Sequence, residues 1–140
     1  MDQSILNFNI AELFVRCFLG ILLIFQGYDK LFVVKIKNVI IVFHNESERK
    51  NVPNFLVVLI SYFTSIVEFF GGILLVIGLF HNQIHIVLCI DLLLVTFAFS
   101  YVNPMWDLKH VFPRAVLIIS ILLLSNYFYF GIDTLLFNRN

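Results

Sequence analysis

Three charged side chains sit in stretches that otherwise read as hydrocarbon: Arg16, Glu68 and Asp91. Glu68 is the only formally charged residue of the run 55–80. At 1.5 Å per residue that run is long enough to cross a bilayer, with Glu68 near the midplane. A lone carboxylate there costs several kcal/mol, roughly, or takes up a proton, so it needs a cation, a polar cavity or a protein interior. Arg16 has Glu12 four residues before it, the favourable order for a pair along one helix face. Counted from the outer ends of the expected crossings, Arg16 and Asp91 lie about 10 Å in, Asn126 about 8 to 10 Å and Glu68 about 16 to 18 Å, so a buried polar site is expected in the outer half of the bundle. Arg16 is therefore expected to bridge Asp91 and Glu68, with Glu12 above it and Asn126 nearby. A network of this kind can exchange protons and hydrogen-bond a ligand inside a dry bundle. The competing reading is an ion network that only sets helix register.

Other reactive residues carry less. Cys17 and Cys89 fall at similar depth, so a disulfide between two helices is geometrically thinkable, but there is no C-x-x-C pair and buried inert thiols are the simpler reading. His81 and His85 are four apart without a third ligand, which favours a place in a loop at the interface over a metal site. No phosphate loop, Ser-His-Asp set or nucleic-acid module is present.

The elements that must position these groups follow from hydropathy. With 61% hydrophobic, 16% aromatic and 13% charged residues in 140, the chain is expected to be one all-α domain, 1–140, a polytopic membrane protein built as a four-transmembrane-helix bundle. Nine basic and nine acidic residues cancel, leaving no field to attract nucleic acid. The expected crossings are 10–28, 55–80, 84–101 and 111–131. Asp2 and Glu12 in place of a basic start argue against a cleaved signal peptide. The long connection 29–54 holds Phe32, Ile36, Val39, Ile40 and Phe43 at helical spacing, an amphipathic piece at the interface, followed by a polar loop, HNESERKNVPN, from His44. In the second crossing Ser61, Thr64, Ser65, Glu68, Gly71, Gly72 and Gly78 share one stripe, as Gly20, Gly27 and Lys30 continue the stripe of Arg16. These small residues are expected to pack helices closely. His81, Asn82 and Gln83 form the tight turn to the third crossing, and Arg114 can snorkel at the start of the fourth. Lys30, Lys35, Lys37, Arg49, Lys50, Lys109 and Arg114 gather on one side, which places loops 29–54 and 102–110 in the cytoplasm of an inner (plasma) membrane protein and both termini outside.

The same residues carry a family resemblance. The segment RCFLGILLIFQGYDKLF, with Arg16, Gly20, Gly27, Lys30 and Leu31, resembles the opening helix of the DoxX family. EFFGGILLVIGLF, with Glu68, Gly71, Gly72 and Gly78, matches its second helix, and Gly131, Ile132 and Asp133 resemble its carboxy-terminal Ser-Leu-Asp region more loosely. His81, Asn82 and Gln83 stand where the family has Thr-Arg, and the first loop is long and basic. The resemblance implies a membrane subunit accessory to a quinone-linked redox complex, since relatives include the membrane subunit of thiosulfate:quinone oxidoreductase. Arg16 would then donate to a quinone carbonyl while Glu68 or Asp91 supplied a proton. Quinone is the one cofactor implied, the lipid bilayer and other membrane or periplasmic subunits are the partners, and independent catalysis is not expected. The alternative is a structural or assembly subunit of a larger membrane complex, without a ligand of its own.

Overall fold

The computed structural model describes residues 3–47, 53–102, 111–128 and 130–137. Its elements are α1 (Gln3–Tyr28), a π turn (Asp29–Val33), α2 (Ile36–Ser47), α3 (Asn54–Ile77), α4 (His81–Val102), α5 (Phe112–Leu124), a 3-10 turn (Ser125–Tyr127) and α6 (Ile132–Phe137). Among the described residues four stretches are long and apolar enough to cross a membrane: Gln3–Val33, Asn54–Ile77, His81–Ala98 and Phe112–Leu136. The chain is a multi-pass membrane protein of four crossings. Burial is arranged accordingly. Among the described residues ten apolar and ten polar or charged side chains are buried, while Phe14, Phe25, Phe55, Leu93, Phe97 and Leu123 point outward. An apolar exterior around a partly polar interior is the arrangement that lipid as solvent selects.

Glycines set how closely the helices lie. A Cβ on Gly27 would meet the Phe69 backbone nitrogen at 2.5 Å, and one on Gly72 the Gly20 carbonyl at 2.8 Å and the Ile24 nitrogen at 2.9 Å. Backbone therefore rests on backbone along α1 and α3. Gly71 turns instead to α4, where Ile84 and Leu88 methyls lie 3.3 Å from the position its Cβ would take. The core that closes between α1, α3, α4 and α5 is Leu19, Leu23, Leu75, Ile84, Leu88, Ile118 and Ile121. Cys17 and Cys89 are half-buried free thiols.

Gly78 ends α3 and is also a place of close approach, since a Cβ there would meet Arg16 Nη1 at 2.7 Å and the Gly131 Cα at 2.9 Å. At φ 70° it takes the left-handed conformation, with its N–H on the Leu75 carbonyl at 3.2 Å and the Leu79 N–H on the Leu74 carbonyl at 3.1 Å. That pattern satisfies carbonyls a helix end leaves open, and glycine adopts it without Cβ strain.

Boundaries differ from the sequence expectation where local pattern was overridden. α1 starts at Gln3 rather than residue 10: its first turns are exposed, Phe8 stacks on Tyr127 with centroids 4.7 Å apart, and Asn9 and Glu12 behind it are buried. Within 29–54, α2 carries the amphipathic set from Ile36 onward. Ile36, Val39 and Ile40 are half-buried, Ile41 and Val42 are exposed, and the helix continues through His44 to Ser47, which the polar composition had assigned to loop. α4 begins at His81 rather than at residue 84, so His81 is helical where a turn was expected, and both His81 and His85 are buried rather than at the interface. The fourth crossing does not run unbroken through 111–131. Its α-helix stops at Leu124, where the chain tightens and folds over the end of the bundle. Arg49, Lys50, Tyr129, Arg139 and the 103–110 stretch, with Pro104, Trp106 and Lys109, lie outside the described residues.

Candidate functional site: two buried polar layers

The buried charges form two layers, not the one expected. The first surrounds Glu68, whose side chain is fully buried. Lys30 Nζ donates to Glu68 Oε2, and Arg114 Nη1 donates to Oε1 at 2.8 Å. Each carboxylate oxygen thus has its own cation. Lys30 arrives because α1 loosens into the π turn Asp29–Val33, and π segments often serve functional sites. Arg114 arrives from the first turn of α5, just after Pro113, and reaches inward where snorkelling toward the interface was expected. Asp91 belongs to this layer: Glu68, Lys30 and Arg114 are the charges that act on it. Its side chain is buried, and its Oδ1 has no hydrogen-bond partner. Below Glu68 on the same face, the Ser65 hydroxyl donates to the Ser61 carbonyl at 2.7 Å, and Thr64 does so at 3.4 Å. Those hydroxyls are spent within α3.

The second layer lies seven to eight residues along α3, about 11 Å away at the helical rise. Arg16, 1% exposed, donates through Nη1 to the Leu75 carbonyl at 2.8 Å and the Val76 carbonyl at 3.1 Å, and through Nη2 to the Phe130 carbonyl. Its Nε stands 3.0 Å from Glu12 Oε1, an ion contact whose angle falls short of a hydrogen bond, so both Glu12 oxygens stay unbonded. The guanidinium carbon sits 5.2 Å from the centre of the Phe128 ring, and the other neighbour of that ring is His81, stacked with centroids 3.8 Å apart. His85 follows edge-on at 4.4 Å. Asp133 Oδ2 accepts the His81 backbone N–H at 2.7 Å and so caps α4 from 52 residues away, while the Asp133 N–H reaches the Gly78 carbonyl at 3.2 Å.

Of the expected network, Glu12 and Arg16 are together, and Glu68 and Asp91 are together, but Arg16 bridges neither acid. Its bonds go to backbone carbonyls at the end of α3 and in the folded-back segment. Asn126 is exposed on the 3-10 turn and joins neither layer. The partners that sequence reasoning missed, Lys30, Arg114, His81, His85 and Asp133, were not without signals. Lys30 shares the Arg16 stripe, and Asp133 stands in the carboxy-terminal motif. What the sequence lacked was the register of α1 on α3. Among the described residues no group of three or more His, Cys, Asp or Glu is placed to hold a metal.

No curated protein and no solved structure matches the chain. The DoxX family model matches residues 11–101, a stretch that includes Arg16, Lys30, Glu68 and Asp91, and the chain belongs to the DoxX family.

Proposed function

We propose that this protein is an accessory membrane subunit of a quinone-linked redox complex and that its contribution is the Glu68 layer. The observation that carries this reading is Asp91, a buried carboxylate with an unbonded oxygen beside a Lys30–Glu68–Arg114 cluster whose own carboxylate is saturated. Ionisable groups inside a membrane default to function, and a carboxyl group that no internal donor claims can hold or release a proton. A quinone, if bound, would supply the electron-accepting ring, and Oδ1 of Asp91 would be the atom of this chain that holds or releases the proton. Arg16 fits less well as the quinone donor, because three of its N–H groups go to the Leu75, Val76 and Phe130 carbonyls and its Nε faces Glu12 in an ion contact. The protein purified from its membrane should carry quinone together with other polypeptides, and Asp91→Asn should assemble normally yet lose the quinone. Wild-type protein that leaves the membrane with neither overturns the reading.

A second reading is favoured by the pairing of each Glu68 oxygen with its own cation. In it the charges only hold the bundle's shape, and the chain is a structural or assembly subunit. Lys30→Met, Glu68→Leu and Arg114→Met combined should then keep partner binding, whereas loss of partner-linked turnover in a folded triple variant rejects that view.

The basic connections support an orientation in an inner membrane with 29–54 and 102–110 in the cytoplasm and the termini outside. In a Cys17→Ser, Cys89→Ser background, Ser47→Cys should react with an impermeant thiol reagent only after the cells are opened; labelling of intact cells reverses the topology.

A further inference from the structure

Where the α3–α4 turn meets the folded-back carboxy-terminal segment there is a cavity of about 530 Å³, lined by Phe80, His81, Asn82, Gln83, Ser125, Phe128, Asp133 and Thr134. It is separate from the Glu68 layer and within the size range of small-ligand sites. We propose that it binds a primary ammonium group, carried by an ethanolamine-type lipid headgroup or by a free amine. The argument is an inventory of donors and acceptors on its wall. His81 is only 6% exposed, and neither ring nitrogen has a hydrogen-bond partner. A neutral imidazole therefore presents one lone pair and one N–H. Asp133 Oδ1 is buried and unbonded, its other oxygen being the cap on α4. The hydroxyl hydrogens of Ser125 and Thr134 are committed to the Leu122 and Gly131 carbonyls, at 2.8 and 2.6 Å, so neither hydroxyl can donate to a ligand. The inner wall is thus rich in acceptors, and no Lys or Arg side chain lines it among the described residues.

Charge selects the ligand further. The amino end of α4 favours an anion with about half an elementary charge, but Asp133 brings a whole negative charge to the same place. Arg16, the nearest guanidinium, lies across the Phe128 ring and is matched by Glu12. Among the described residues the cavity is therefore left net negative, which disfavours an anionic ligand. A primary ammonium has three donors for Asp133 Oδ1, the imidazole lone pair and the amide oxygens of Asn82 or Gln83 at the rim. A quaternary ammonium carries the same charge and no donor. Placement at the helix-turn end of a membrane bundle puts the cavity at headgroup level, which makes a lipid amine a direct source.

The test uses the full chain in nanodiscs of phosphatidylcholine with an equal share of phosphatidylethanolamine, read by native mass spectrometry. The wild type should retain the ethanolamine lipid about tenfold over the choline lipid, because a charge-assisted hydrogen bond to a buried carboxylate separates them. If free ethanolamine raises the thermal midpoint in choline-only discs while no lipid preference is seen, the same chemistry is met by a soluble amine. Asp133→Asn keeps an oxygen to cap α4 and removes the charge, and should abolish the preference and the shift. Equal retention of the two lipids together with no response to ethanolamine overturns the proposal, and wild type alone suffices for that result. An undiminished amine response in a folded Asp133→Asn variant overturns it as well.

Discussion

Glu68 and Arg16 solve the same problem, a charge in a medium that cannot solvate it, in different ways. Glu68 is neutralised by two cations, one on each oxygen, whereas Arg16 is solvated by backbone carbonyls and matched by Glu12. Removing one member of a buried pair leaves the other uncompensated, which typically costs about 3 to 5 kcal/mol. Arg114→Met leaves Glu68 with Lys30 as its remaining cation, so it should cost less than that, about 1.5 to 3 kcal/mol for one charged hydrogen bond, and the loss should shrink when Glu68→Leu is added. A double-mutant cycle separates the layers: Arg114 and Glu68 should couple by more than about 1 kcal/mol, while Arg16 and Glu68 should be additive within about 0.5 kcal/mol. Detergent-titration unfolding of the four proteins in each cycle measures both quantities. Coupling between Arg16 and Glu68 of the same size as that of Arg114 and Glu68 would show one site where two are described.

Among the elements, the α1–α3 contact is the one that registers everything else. Gly20, Gly27 and Gly72 bring two backbones into contact, and that contact aligns Arg16 with the end of α3 and Lys30 with Glu68. Gly72→Ala puts a methyl 2.8 Å from a backbone oxygen that cannot move without its helix, whereas Gly71→Ala meets only side-chain methyls at 3.3 Å. The first should cost about 2 to 3 kcal/mol and the second under about 1 kcal/mol, read as midpoints of thermal unfolding in detergent. Similar losses at the two positions would mean that α1 does not rest on α3 as described. The second decisive element is the break after Leu124. Ending α5 there lets Phe128 and Phe130 reach Arg16 and brings Asp133 to the start of α4. A continuous helix through residue 131 would leave Arg16 without its third carbonyl and α4 without its cap.

For the whole molecule, the division between what is legible in the chain and what is not follows the range of the forces involved. Composition and hydrophobic runs determined the class, because the bilayer demands about 20 apolar residues per crossing and every backbone group satisfied within the segment. The same local logic determined the α2 pattern, the Glu12–Arg16 pair one turn apart, the inward stripe of α3 and the membership in DoxX carried by Arg16, Gly20, Gly27, Glu68, Gly71 and Gly72. Helix ends were less legible: the start of α1, the histidines of α4 and the stop after Leu124 each depend on a partner far away in sequence. Pairing of buried charges was least legible of all. Depth counted from presumed helix ends aligned Arg16 with Asp91, but α1 and α3 slide to where glycine meets backbone, and that shift of a few residues exchanges the partners. Periodicity within one helix determines which face a charge occupies; only the tertiary contact decides its depth, and in a low-dielectric interior a change of two turns is enough to move a carboxylate from one cation to another.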